Sequence, residues 1–103
     1  MKREINDRYS KDIINYTRLL ILNYRRYFGR RGVLNSDGLR LLNELVRIVV
    51  IHKPELSKII KEVRKNPTVE NFMKFAERVL GNEAYELLYS TINNYYSFLE
   101  QSP

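Results

Sequence analysis

The chain has 103 residues, 44% hydrophobic and 29% charged, with a net charge of +6, one histidine and no cysteine. That composition fits one globular domain with a core of its own, and it excludes disulfides, thiol nucleophiles, thiolate metal sites and iron–sulfur clusters. The opening MKREINDRYSKD carries both charge signs and reads as no secretory signal. The longest aliphatic runs, Leu19–Leu22 and Ile48–Ile51, fall far short of the ~20 apolar residues of a spanning helix. The expectation is a soluble, cytoplasmic protein with no membrane contact.

Apolar spacing predicts helices throughout. Tyr9, Ile13, Tyr16, Leu20, Tyr24 and Tyr27 recur at steps of three and four, one stripe of a long amphipathic helix. It starts near Ile5 or at a Ser10 cap, residues 1–8 are the part expected to fray, and Gly29 with Gly32 supplies its stop. Asn35-Ser36-Asp37-Gly38 is a turn rich in capping groups, after which a second helix runs to about Ile51. Apart from a stripe of Arg40, Asn43, Glu44 and Arg47, this helix is apolar on nearly every side, which suits a central position.

Pro54 fits the first turn of a third helix, with Leu56, Ile59, Ile60 and Val63 on one face. Asn66-Pro67-Thr68 breaks it. A fourth helix carries Val69, Phe72, Met73, Phe75, Ala76, Val79 and Leu80 and ends at Gly81, and Asn82 caps a fifth bearing Tyr85, Leu88, Tyr89, Ile92, Tyr95, Tyr96 and Leu99. No segment alternates with the strict period of a half-buried strand. The fold class is therefore all-α: residues 1–103 as one bundle of about five helices. All eight tyrosines fall in the first and last helices, which predicts that these two are neighbours or build a shared surface for another chain.

The charge is unevenly spread. Residues 1–31 carry nine Lys/Arg against three Asp/Glu, whereas residues 67–103 balance to −3. A basic region of this kind favours a polyanionic partner. Within it, Tyr24-Arg25-Arg26-Tyr27-Phe28-Gly29-Arg30-Arg31-Gly32 packs four arginines and three rings into nine residues. Lys11, Arg18 and Arg25, seven apart, form a ridge opposite the tyrosine stripe, about 21 Å long at ~1.5 Å per residue. Arg26 flanks that ridge, and Arg30 and Arg31 extend it into a glycine-bounded loop. Guanidinium groups there suit bidentate contact with phosphate, and Phe28, at the edge of the stripe, is the ring expected to stack on an unpaired base. Leu19 and Leu22 lie off the stripe, and with Tyr95 and Tyr96 they form the candidate surface for a protein partner or a second copy.

Other constellations are weaker. Lys58, Lys61 and Lys65 share a face of the third helix, diluted by Glu55 and Glu62. Helices three and four could form a helix-turn-helix, but the second would offer Glu70, Asn71, Lys74, Glu77 and Arg78, a near-neutral set poorly suited to reading bases. Tyr89 to Tyr96 resembles the box by which partners dock on sliding clamps, with tyrosine in place of its glutamine; the core stripe accounts for the same residues. Arg47 to His52 resembles the Arg-x4-His element of HEPN ribonucleases, small helical-bundle enzymes that act as dimers. The resemblance covers six residues and implies Arg47 and His52 as a catalytic pair. Ile48 departs from that family's usually polar position, and Arg47 has an ordinary partner in Glu44, so the pair is not carried further.

No Gly-rich phosphate loop, multi-histidine metal site or nucleophile–base order is present. The sequence therefore reads as a non-catalytic accessory protein that contacts DNA or RNA backbone, with no cofactor and no metal. The competing reading is a protein-interaction adaptor or homodimeric module.

Overall fold

The computed structural model describes the backbone of residues 2–101 and the side chains of residues 9–93. Among the described residues the chain forms six α-helices, one 3-10 turn and no strand: α1 (Lys2–Leu22), α2 (Tyr24–Tyr27), α3 (Ser36–His52), the 3-10 turn Pro54–Leu56, α4 (Ser57–Lys65), α5 (Val69–Leu80) and α6 (Glu83–Gln101). The five long helices are those the apolar periodicity predicts. The sixth, α2, is a four-residue piece split from the first.

The split falls at Asn23. Its φ of −108° and ψ of 37° leave the helix, and its Nδ2 donates to the Leu19 carbonyl at 2.9 Å. The Asn23 N–H donates to the same carbonyl at 3.1 Å, so the last ladder bond of α1 is kept and the side chain adds a second donor at the helix end. The chain becomes helical again in α2 and then turns extended at Phe28, φ −104° and ψ 127°.

Other boundaries follow their caps. Asn35 Oδ1 accepts the Gly38 N–H at 2.9 Å, so α3 begins at Ser36 and Gly38 lies inside it. Thr68 Oγ1 accepts the Asn71 N–H at 3.2 Å and starts α5. Gly81 ends α5.

The core is one cluster. Ile13, Leu20 and Ile21 of α1 meet Leu42, Leu45, Val46 and Val49 of α3, Ile60 and Val63 of α4, and Phe72, Met73, Phe75 and Ala76 of α5, with Ala84 of α6 closing one side. α3 lies against both α1 and α4, while α1 also packs on α5 and α6. Thr17 is the buried polar residue of α1; its hydroxyl donates to the Ile13 carbonyl at 2.6 Å, so no polar group is stranded there.

α1 and α6 are neighbours, as the tyrosine distribution predicts. Arg18 sits beside Glu83 at the start of α6, and the two helices run in the same direction. The molecule measures 56 × 28 × 19 Å along its principal axes. Among the described residues no helix is long and apolar enough to cross a membrane.

Candidate nucleic-acid interface

The arginine-rich stretch folds into a small hairpin. The Gly32 N–H donates to the Gly29 carbonyl at 2.9 Å and the Gly29 N–H to the Val33 carbonyl at 2.8 Å, so Arg30 and Arg31 are the two central residues of a tight turn. Gly32 follows at φ +69°. A turn followed by a left-handed residue is how a three-residue hairpin loop closes, and that residue is usually glycine because a Cβ is strained there. Arg30 and Arg31 are both exposed.

A second loop holds this hairpin in place. The Leu34 N–H donates to the Pro67 carbonyl at 2.9 Å and the Val69 N–H to the Gly32 carbonyl at 2.7 Å, pairing Val33 with Thr68. Asn35 ties the other flank: its N–H donates to the Tyr27 carbonyl at 2.8 Å and its Nδ2 to the Arg26 carbonyl at 2.6 Å. These bonds are backbone-directed and independent of side-chain charge. They also bring the last turn of α4, with exposed Arg64 and Lys65, to the end of the molecule that carries the arginine turn. Asp37 and Glu70, in the first turns of α3 and α5, are the acids that adjoin it.

The remaining candidates divide. Arg25 and Arg26 are exposed on α2, and the Arg26 guanidinium lies 5.5 Å from the centre of the Tyr27 ring. Lys11 is exposed but sits about 16 Å of helix away from the end of α1. Arg18 is engaged: its Nε and Nη2 donate to the two carboxylate oxygens of Glu83 at 2.7 and 3.0 Å. That fork raises the Arg18 pKa and holds the Glu83 carboxyl below its ordinary value, in each case first through the shared hydrogen bond. The ridge Lys11–Arg18–Arg25 is therefore not continuous. Its middle charge is matched by a carboxylate, and Arg25 belongs to α2, beyond the break at Asn23.

Phe28 is a correction. It is 4% exposed, with Tyr24 stacked on one side at a centroid distance of 5.2 Å and Phe72 tilted against it at 6.0 Å. Because the chain turns extended at this residue, the ring swings into the core, and no face is left for a base.

Of the partner-facing candidates, Leu19 and Leu22 are open to solvent, Leu22 by 52%. The side chains of Tyr95 and Tyr96 lie outside the described residues. Arg47 and His52 face different ways on α3. Arg47 reaches Glu44 at 3.7 Å and lines a groove with α4, while the His52 ring stacks on Tyr9 of α1 at 3.4 Å. In the helix-turn-helix candidate, Asn71 spends its Nδ2 on the Asn66 carbonyl at 2.9 Å. Among the described residues no three His, Cys, Asp or Glu side chains gather to hold a metal ion.

Sequence reasoning missed one basic surface. Arg47 of α3 and Lys61 and Arg64 of α4 line a common groove of about 400 Å³. Each belongs to a polar stripe visible in the sequence, but nothing local says that the two stripes meet. No family model, no curated protein and no solved structure matches this chain.

Proposed function

We propose that this chain is a non-catalytic accessory protein that holds DNA or RNA by its sugar–phosphate backbone. The observation that carries the reading is the turn Gly29–Gly32, whose two central residues are exposed arginines on a backbone pinned from both sides. Arg26 stands on the adjoining helix, and Arg64 and Lys65 border the same end. A pinned backbone has little freedom of its own to lose on meeting phosphates, and arginine contacts phosphate through two donors at once. With Phe28 buried, the contact expected is ionic rather than stacked. No set of base-reading side chains accompanies it, so sequence preference is not expected.

The test is fluorescence anisotropy with labelled duplex and single-stranded oligonucleotides at low ionic strength. Wild type should bind, and a variant with Arg26, Arg30 and Arg31 changed to Glu should not, with its melting temperature unchanged. No retention of either nucleic acid by wild type at low salt ends the proposal. The exposed pair Leu19 and Leu22 favours the second reading, an adaptor that buries this face of α1 against a partner. In that case polar substitution at both leucines would abolish complex formation, and added salt would have little effect.

A further inference from the structure

Two open faces of the molecule complement one another. The first is the α3/α4 groove, where Val46 and Val50 form the floor and Arg47, Lys61 and Arg64 the rims. Ile51 stands at its edge, 64% exposed, and Val50 is 37% exposed. Phosphate contacts would leave these aliphatic groups wet, so this surface suits a protein better than a nucleic-acid backbone.

The second face lies between α5 and α6. Val69, Met73, Tyr85 and Leu88 line a cleft of about 390 Å³, and Tyr89 projects beside it, 61% exposed. The charge here is inverted. Glu70 borders the cleft, Glu77 accepts a long hydrogen bond from the Tyr85 hydroxyl at 3.4 Å, and exposed Glu86 lies one turn before Tyr89. Lys74 is the cation that borders this cleft.

We infer that the acidic tyrosine face of one copy docks on the basic aliphatic groove of a second copy, head to tail. Each face supplies a projecting apolar side chain, Tyr89 or Ile51, and an open cleft for the other's. Arg47, Lys61 and Arg64 of the groove meet Glu70 in the cleft and Glu77 and Glu86 beside it. Because the two faces lie on different helix pairs, the contact is heterologous, and every subunit that uses one face leaves the other open for the next. This assembly does not depend on the nucleic-acid reading, and it uses neither the arginine turn nor Leu19 and Leu22.

Nuclease-treated protein at low ionic strength, followed by light scattering and sedimentation velocity, tests it. The apparent mass of wild type should rise with concentration. A groove variant, Arg47→Glu with Lys61→Glu, and a cleft variant, Glu70→Lys with Glu86→Lys, should each weaken self-association by about tenfold or more, since like charges then face each other. Circular dichroism melts should show both variants folded, as all four positions are exposed. Mixed in equal amounts, the two should regain self-association, because each retains the face the other lacks and their two reversed faces are again opposite in charge. Wild type of constant monomer mass, variants that assemble like wild type, or a mixture that stays monomeric would each overturn the inference. So would assembly that is lost only on polar substitution of Leu19 and Leu22.

Discussion

Arg18 and Phe28 lie ten residues apart and meet opposite fates. Arg18 looks free in the sequence because its partner lies 65 residues away, at Glu83. The pair is half-exposed, so its effect on stability is small, yet it has a definite pH signature. The Glu83 carboxyl, lowered from 4.5 chiefly by the Arg18 hydrogen bond, adds stability that is present above that value and is lost as pH falls through the folded value. Denaturant unfolding of wild type and Glu83→Gln should therefore differ at neutral pH and converge in acid below 4.5. A gap independent of pH would show that the ion pair contributes nothing. Phe28 bears on packing alone. Phe28→Ala should cost about 3–5 kcal/mol, as for other buried phenylalanines. With the variant kept folded at low temperature, its affinity for an oligonucleotide should match that of wild type. A selective loss of binding would return the ring to the interface.

At the scale of elements, the arginine turn depends on groups that carry no charge. Gly38 sits where α3 crosses the end of α2, and a Cβ built there would lie 2.9 Å from the Tyr27 carbonyl oxygen and 2.7 Å from Leu34 Cδ2. Gly38→Ala must push these elements apart, at a cost of about 1–3 kcal/mol. Gly32→Ala places a side chain at φ +69° and 3.2 Å from Val69 Cγ1, costing about 1–2 kcal/mol. Thermal melts would measure both losses. Gly32→Ala should also weaken oligonucleotide binding while every arginine remains; unchanged binding would mean that the turn's shape is irrelevant. These elements also mark how far local pattern can be read. Helices α3 to α6 were legible because Asn35, Thr68 and Gly81 cap or stop them where the apolar period begins and ends. The break at Asn23 was not, since it falls within an unbroken helical pattern. The pairing of Gly32–Leu34 with Pro67–Val69 joins residues far apart in sequence, and no local signal encodes it. Exposure of Arg30 and Arg31 could be read from their glycine bounds; burial of Phe28 could not, because it depends on where Phe72 arrives.

For the whole molecule, the question is whether binding comes from a basic protein or from a basic place. Each Arg→Glu or Lys→Glu change removes two charges, so any three take the net charge from +6 to zero. Arg26, Arg30 and Arg31 stand at one end of the bundle. Lys11, Lys58 and Arg78, all exposed, stand towards the other, where the start of α4 and the end of α5 border α1. If diffuse charge drives association, the two triple variants lose affinity alike. If the turn is the site, only the first does. Salt adds an independent measure, because each neutralised phosphate contributes about −0.9 to the slope of log K against log salt on duplex DNA. With one phosphate for each arginine, the turn accounts for a slope of about −2.7, which the Lys11/Lys58/Arg78 variant should retain. Residual binding by the Arg26/Arg30/Arg31 variant should be flatter by that amount. Equal slopes for the two variants would assign the interaction to net charge and leave the arginine turn without a role in it.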